Sequence, residues 1–282
     1  MRVLVTGVTG QLGYDVCQNL IRQGISFTGV GSADCDIADE GAVRSLFEQV
    51  QPDAVIHCAA YTKVDQAEDE PERCWAVNVD GTRNIALSCR DWDAKLLYIS
   101  TDYVFPGTGE EPYSPLAPTG PLNVYGRSKL AGELAVRSLL SRCFIVRISW
   151  VFGENGGNFV KTMLRLGKTH DRVQVVGDQI GSPTYTADLA PLLCSMIKTD
   201  RYGIYHATNE GACSWAEFAE AIFATAGMKV AVEPIPSSEY PVKACRPMNS
   251  RMDKACLDDA GFQRLPHWRD ALQRFCKIIE ER

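Results

Sequence analysis

The sequence predicts an α/β protein of the Rossmann type, with a doubly wound parallel sheet and a smaller C-terminal lobe. Short apolar, β-branched segments alternate with helical patterns through the first half of the 282 residues, and a glycine-rich turn follows the first segment. Apolar character and strand length predict the strands 3–5, 26–30, 54–58, 95–99 and 144–148. Helical spacing predicts the helices 14–23, 41–50, 72–90 and 125–140.

The pattern becomes less regular after residue 153, which indicates a second lobe. We expect residues 1–150 to form the sheet domain, with 173–207 returning to it, and 151–172 and 208–282 to form the lobe. One helix start within the lobe is well marked. Ser214 stands three residues before Glu217, the spacing of a capping box that begins a helix over 214–225.

Three glycines, Gly7, Gly10 and Gly13, follow the first predicted strand and precede the first predicted helix. Glycines at this junction allow a tight turn and let a diphosphate approach the backbone, where the first N–H groups of the helix attract it. The G-x-x-G-x-x-G spacing differs from the G-x-G-x-x-G of ordinary dehydrogenases. The turn therefore predicts a dinucleotide site at the edge of the sheet.

A second pattern predicts proton-transfer chemistry. Tyr125 precedes Lys129 by four residues, so both side chains lie on one face of the predicted helix. A lysine ammonium beside a phenol favours its ionised form, which would let Tyr125 exchange a proton near neutral pH. Thr101, at the end of the fourth predicted strand, can add a hydroxyl beside the same oxygen. A group of this kind acts on a carbonyl or an alcohol.

These motifs resemble the extended short-chain dehydrogenase/reductases, and several longer runs narrow the resemblance to the dTDP-4-dehydrorhamnose reductase family. The resemblance covers residues 1 to about 270. The runs that carry it are STDYVFPG (100–107), PLNVYG (121–126), RISWVFG (147–153), NFVKTM (158–163) and RPMNSR (246–251).

The resemblance implies an NAD(P)H-dependent reductase of a nucleotide sugar, with Thr101, Tyr125 and Lys129 as the catalytic residues. It implies that Thr101, Asp102 and Trp150 bind the sugar. The cofactor would be bound by Tyr125 and Lys129 together with Gly7, Gly10, Gln11, Leu12, Gly13, Asp36, Ile37, Ala59, Ala60, Tyr61 and Thr62.

The end of the second strand bears on the choice of coenzyme. An acidic residue there would bind the ribose 2′-hydroxyl of NADH and repel the 2′-phosphate of NADPH. This strand ends in Gly31 and Ser32, and Asp34 comes only later. We therefore expect NADPH, with Ser32 as a contact of its 2′-phosphate. No arginine stands beside Ser32, so NADH can also serve.

Composition excludes several other classes of function. The net charge of −6 argues against nucleic acid as the main partner, and no segment reaches the length of a membrane span. The N-terminus enters a strand with no signal-peptide pattern, so we expect a cytoplasmic protein. The 11 cysteines are scattered, never at C-x-x-C spacing, and the four histidines show no ligand spacing. We expect no catalytic metal. Some members of the family use magnesium at a dimer interface. The sequence leaves the oligomeric state undecided, and a homodimer is one possibility.

Other readings of the same fold remain open. A 4,6-dehydratase would need a glutamate after the Asp, and here Tyr103 follows Asp102. A 4-epimerase or another sugar-nucleotide reductase would retain the same Tyr–Lys pair. A non-catalytic reading also exists, because the regulatory subunit of methionine adenosyltransferase resembles this reductase family. Retention of Thr101, Tyr125 and Lys129 favours catalysis.

Overall fold

The computed structural model describes residues 1–281, which form thirteen strands and eleven α-helices. The strands are β1 (Val3–Thr6), β2 (Phe27–Val30), β3 (Ala54–His57), β4 (Lys95–Thr101), β5 (Cys143–Ile148), β6 (Val151–Phe152), β7 (Arg172–Val176), β8 (Ile180–Gly181), β9 (Thr184–Tyr185), β10 (Gly203–His206), β11 (Cys213–Ser214), β12 (Ala231–Ile235) and β13 (Asn249–Ser250). The α-helices are α1 (Gln11–Arg22), α2 (Glu40–Val50), α3 (Val64–Ala67), α4 (Pro71–Trp75), α5 (Thr82–Asp91), α6 (Val124–Leu139), α7 (Phe159–Gly167), α8 (Thr186–Met196), α9 (Trp215–Thr225), α10 (Ala255–Asp259) and α11 (Trp268–Glu280).

The central sheet has six parallel strands in the order β2–β1–β3–β4–β5–β10. This confirms the predicted doubly wound parallel sheet. The chain winds outward from β1 in one direction to β2 and in the other to β3, so the order reverses between β1 and β3. In open α/β sheets a ligand binds at such a reversal, outside the carboxyl ends of the strands.

Both faces of the sheet are covered by helices, because strand residues alternate between the two faces. Val3 and Val5 of β1 pack in a core with helices α1, α8 and α10. Leu4 between them packs on the other face with helices α2, α5 and α6. Burial on both faces explains why these strands read as continuous apolar runs.

The helix predicted over 72–90 is interrupted. Helix α4 ends at Trp75, a π-helical segment spans Ala76–Gly81, and α5 continues from Thr82. The wider turn places Asn78 where its side-chain oxygen accepts a hydrogen bond from the Tyr61 N–H at 2.8 Å, while its Nδ2 donates to the Ser128 hydroxyl at 2.9 Å. Short π-helical segments inside α-helices are frequent at functional sites.

The C-terminal part packs around its own apolar core, to which helices α7, α9 and α11 contribute. The predicted capping box is confirmed, since the Glu217 N–H donates to the Ser214 hydroxyl and the Ser214 N–H donates to Glu217 Oε2. Within the segment 173–207, α8 and β10 pack with the sheet domain, whereas β7 pairs with β12 outside the central sheet. The division into two domains remains a prediction. No helix within residues 1–281 is long and apolar enough to cross a membrane.

Candidate active site

A cleft of about 520 Å³ lies at the carboxyl edge of the sheet, beyond the ends of β1, β3, β4 and β5. The structure brings together here every residue to which the sequence analysis assigned a role in the site, and those roles remain predictions. The residues are Gly7, Gly10, Gln11, Leu12, Gly13, Asp36, Ile37, Ala59, Ala60, Tyr61, Thr62, Thr101, Asp102, Tyr125, Lys129 and Trp150.

The glycine turn holds helix α1 tightly against the end of β1. Gly7 has a φ of 73°, and a Cβ atom at Gly13 would lie 2.3 Å from the Gly7 carbonyl oxygen. Gly10 is the N-cap of α1 and has no side chain to bond the first N–H groups of the helix. These N–H groups and the helix dipole attract an anion, so the turn fits the diphosphate of a dinucleotide.

A loop from the C-terminal part packs over the glycine turn, which the sequence analysis did not predict. The Asn155 side chain donates to the Thr9 carbonyl at 2.8 Å, and the Asn158 side chain donates to Gln11 Oε1 at 2.9 Å. Each contact joins residues more than 140 positions apart in the chain. Neither asparagine stands in a local pattern that indicates a binding role.

The Tyr125 phenol lies between Thr101, Asp102 and Tyr103, and the ring of Tyr103 meets it edge-on with centroids 5.5 Å apart. Burial raises the pKa of Tyr125 well above its ordinary value, Asp102 adds to this shift, and a hydrogen bond with Thr101 opposes it. We expected Lys129 to hold the pKa of Tyr125 down, and in the structure burial raises this pKa instead. The phenol is therefore protonated at neutral pH, the form that can donate a proton.

Lys129 is almost fully buried, with 2% of its surface exposed, and its Nζ lies 4.1 Å from the centre of the Tyr98 ring. Burial lowers the pKa of Lys129 to about 7, and the Glu133 carboxylate on the next helical turn opposes the shift. The amine therefore exchanges between its charged and neutral forms near neutral pH. Its charge depends on the groups that surround it.

Thr101 and Asp102 stand at the end of β4, and both are buried. The Thr101 hydroxyl donates to Asp102 Oδ1 at 2.9 Å. Asp102 Oδ2 has no well-aligned hydrogen-bond donor among residues 1–281. The Ser250 hydroxyl is near the carboxyl and lowers its pKa. Burial has the larger effect and raises this pKa to about 6. A buried acceptor without a partner suits a ligand hydroxyl.

One part of the cleft is formed by residues that follow β2. Asp36, Ile37 and Ser32 line it, and their part in cofactor binding remains a prediction. Asp34 does not line the cleft, because its Oδ2 accepts a hydrogen bond from the Gly31 N–H at 2.8 Å. The acidic side chain nearest to the end of β2 is therefore used within the turn.

Trp150 borders the opposite end of the cleft in an uncommon backbone conformation, with a φ of 48°. Its indole stacks on Trp215 and passes over Gly181, where a Cβ atom would come within 2.7 Å of the ring. Trp215 also lines a second, larger cavity of about 800 Å³. The tryptophan pair therefore stands between the two cavities.

The second cavity lies between the C-terminal part and the loop that follows β4. Arg246 lines it with Lys243, Gln174 and Gln179. Arg246 Nη2 pairs with Asp65 at 2.5 Å, whereas its Nε is buried with no hydrogen-bond partner among residues 1–281.

Several residues that line the first cleft had no role assigned from the sequence. They include Cys35, Ile148 and Ser149. Ser149 stands next to Trp150, and this adjacency was the signal that could have identified it. Across residues 1–281, no three His, Cys, Asp or Glu side chains are grouped so that they could hold a metal ion.

Comparison with known proteins gives consistent results over the whole chain. The family described as RmlD substrate binding domain matches residues 1–281. A dTDP-4-dehydrorhamnose reductase of Streptomyces griseus is 45% identical over 278 residues, covering 96% of this chain and 91% of its own length. A dTDP-4-keto-6-deoxy-D-glucose reductase of Streptomyces niveus is 37% identical over 280 residues, covering 99% of this chain and 97% of its own.

A solved structure of dTDP-4-dehydrorhamnose reductase from Bacillus anthracis, in complex with NADP, is similarly close. It superposes with a TM-score of 0.95 at 45% identity and covers 99% of both chains. This similarity extends over the sheet, the glycine turn and the C-terminal part alike. The chain belongs to the RmlD substrate binding domain family.

Proposed function

We propose that this protein is an oxidoreductase that uses NAD(P)H to reduce the 4-keto group of dTDP-4-dehydro-6-deoxy-L-mannose, giving dTDP-L-rhamnose. One observation carries the proposal: the cleft that holds the glycine turn also holds Thr101, Tyr125 and Lys129. A dinucleotide site and a proton donor thus share one cavity, as reduction of a carbonyl requires. The activities of the relatives from Streptomyces and Bacillus support the same reaction.

Each residue has a distinct part in this reaction. When bound, the reduced nicotinamide supplies the hydride that adds to the carbonyl carbon. Thr101 orients the carbonyl oxygen, and the Tyr125 phenol gives its proton to that oxygen as negative charge develops there. The tyrosinate that remains is stabilised by the Lys129 ammonium and regains a proton from solvent. Asp102 accepts hydrogen bonds from the sugar hydroxyls, and Trp150 packs against the ring.

The second cavity provides room for the nucleotide part of the substrate. It adjoins the first cleft at the tryptophan pair, and its cationic side chains include Arg246 and Lys243. The Arg246 guanidinium lines this cavity and can pair with a diphosphate there. The sugar would then reach into the first cleft while the base stays in the second.

NADPH is the coenzyme that we propose, with NADH as a weaker alternative. The cleft wall beyond β2 is formed by Gly31 and Ser32, and Asp34 is held by the Gly31 N–H. The Ser32 hydroxyl can donate to a 2′-phosphate. The NADP complex of the relative from Bacillus anthracis supports this choice.

The decisive experiment is a stopped assay with four pairings. The purified chain is mixed with NADPH or NADH and with either of two dTDP-4-keto-6-deoxy sugars, the L-mannose or the D-glucose form. Loss of reduced nicotinamide and formation of dTDP-L-rhamnose from the L-mannose form, identified by chromatography, is the expected result. Reduction of the D-glucose form instead would assign the activity of the relative from Streptomyces niveus.

Two variants then identify the proton donor. Tyr125→Phe should lower kcat by about a hundredfold or more, because the proton donor is lost, while NADPH still binds through the other residues of the cleft. Tyr103→Phe is the matched control, since Tyr103 lines the same cleft against the Tyr125 ring. A folded wild-type protein that binds NADPH but turns over neither sugar would overturn the proposal and favour the non-catalytic reading.

A further inference from the structure

About two and a half turns after its N-terminus, the catalytic helix α6 carries a buried carboxylate that the proposed reaction does not use. Glu133 is 1% exposed and lies one helical turn beyond Lys129. Its two oxygens accept hydrogen bonds from Arg147 of β5, at 2.8 Å from Nε and 2.7 Å from Nη2. Its Oε1 also accepts a hydrogen bond from the Ser100 hydroxyl at 2.5 Å. Both members of the ion pair are more than nine-tenths buried.

Burial of this ion pair carries a large desolvation free energy. Removing two charges from water costs several kcal/mol for each ion, and their attraction offsets this only when the geometry is good. A pair of apolar side chains could fill the same space, so a stabilising role alone does not explain why the pair is present. Its location does offer an explanation, because it joins the three parts of the chain that form the site.

Those three parts are the helix with Lys129, the strand end with Thr101 and the loop after β4, which lines the second cavity. Glu133 belongs to the helix. Ser100 directly precedes Thr101. Arg147 extends the connection to the loop, because its Nη1 donates to the Pro115 carbonyl at 2.9 Å and its guanidinium lies 5.0 Å from the centre of the Phe105 ring.

The groups that face Lys129 show why a carboxylate matters there. They are Tyr125 and Glu133 on its own helix, Tyr98 on β4, His57 at the end of β3, Cys58 just after it, and Cys74 on α4. Burial lowers the pKa of His57 to about 3 and raises the pKa of both thiols, so the imidazole and the thiols are neutral near pH 7. Glu133 is the anionic group in this set.

We propose that Glu133, fixed by its ion pair with Arg147, is a positioning residue for the reduction whose carboxylate keeps the Lys129 amine in the charged form. The inference rests on the proposed function for its effect on rate, but not for its effect on Lys129. Among charged groups, Glu133 has the largest effect on the pKa of Lys129, and it raises that pKa against the effect of burial. Without the carboxylate, the buried amine would lose its proton at lower pH.

The charge of Lys129 determines how activity depends on pH. If Lys129 must be charged, kcat/KM falls as pH rises through the pKa of Lys129. Glu133→Gln keeps the shape of the side chain and removes its charge. The alkaline limb of the pH profile of kcat/KM should therefore move to lower pH by about one unit. On the alkaline side of the limb, the variant's activity relative to wild type should then be about tenfold lower than on the acid side. A loss of packing alone would lower activity equally at every pH.

Ser100→Ala is the matched control. It removes one hydrogen bond to Glu133 but leaves the charges of Glu133 and Arg147 in place. Its alkaline limb should coincide with that of wild type whatever its effect on the rate. A limb that moves as far in Ser100→Ala as in Glu133→Gln would overturn the proposal, because the charge would then not be the cause.

A second readout does not depend on turnover. Lysines labelled with ¹³C at Cε are titrated by NMR, and the Lys129 signal is identified by its absence from Lys129→Arg. The Lys129 titration should move to lower pH in Glu133→Gln, and an unchanged titration would refute the inference. If wild type reduces no sugar, the proposed function fails while this titration still decides the role of Glu133.

Glu133→Gln leaves the Arg147 charge buried without its partner, which can prevent folding. Far-UV circular dichroism reports this outcome. In that event the same titration is made with the double variant Glu133→Gln, Arg147→Met, which leaves neither charge of the pair in the core. A Lys129 titration at the wild-type position in the double variant would overturn the proposal, and a downward shift would support it.

Discussion

The indole rings of Trp150 and Trp215 stack with their centroids 3.6 Å apart and their planes inclined by 12°. Trp150 follows the end of β5 and lines the first cleft, whereas Trp215 begins helix α9 and lines the second cavity. The pair therefore joins the sheet domain to the C-terminal part at the place where the two cavities meet. In the proposed function, a substrate that occupies both cavities lies against this pair.

Removal of one ring should therefore weaken substrate binding more than cofactor binding. Trp215→Ala is expected to raise KM for the nucleotide sugar about tenfold, because Trp150 loses the ring that holds it against Gly181. The Kd for NADPH, measured by fluorescence titration, should change less than threefold. Trp92→Ala is the control, since Trp92 is an exposed tryptophan that does not line either cavity. Equal effects on both ligands would contradict this prediction.

Gly13→Ala should impair cofactor binding. The added methyl group would lie 2.3 Å from the Gly7 carbonyl oxygen, so helix α1 must move away from the glycine turn. We expect a loss of NADPH affinity of at least tenfold, measured by isothermal titration calorimetry, together with a lower Tm. Gly157→Ala is the matched control, because no atom lies within 4 Å of its added Cβ. NADPH affinity as in wild type for Gly13→Ala would show that the turn tolerates a wider approach.

Asp102→Asn should change how stability depends on pH. The folded-state pKa of Asp102 is raised from 3.8 to about 6 by burial, so ionisation disfavours the folded state. The stabilising effect of the protonated carboxyl is complete below about pH 4 and is lost as pH rises through about 6. Relative to wild type, Asp102→Asn should therefore gain about 3 kcal/mol in the free energy of unfolding across this range.

Urea denaturation at several pH values measures this difference. Asp91→Asn is the control, because Asp91 is exposed at the end of α5. A stability difference between Asp102→Asn and wild type that does not vary with pH would mean that the pKa of this carboxyl is the same in the folded and unfolded states, which would contradict the prediction.

Arg246→Gln should act on the nucleotide part of the substrate. The guanidinium lines the second cavity, and its Nε is buried without a partner among residues 1–281. Loss of its charge is expected to raise KM for the nucleotide sugar ten- to a hundredfold with little change in kcat, because a diphosphate contact serves binding in both ground and transition states. Arg251→Gln serves as the control, since Arg251 does not line either cavity. A fall in kcat at constant KM would place Arg246 at the reacting group instead.

The sequence predicted the central sheet well because its strands are buried on both faces and therefore read as apolar runs. The glycine turn and the Tyr125–Lys129 spacing were visible because they are local patterns. Local pattern also explains the confirmed capping box of Ser214 and Glu217. The π-helical segment was not predicted, because residues 72–90 have a continuous helical pattern and the wider turn depends on contacts with Tyr61 and Ser128.

By itself, the sequence determined the order of strands and helices, the glycine turn and the phenol, amine and hydroxyl that the cleft contains. These follow from residue type and spacing along one segment. Tertiary structure alone decided the charge state of Tyr125 and Lys129, the stacking of Trp150 on Trp215 and the burial of Glu133 with Arg147. The physical reason is that a pKa depends on desolvation and on neighbouring charges, and these are set by segments that meet only when the chain folds.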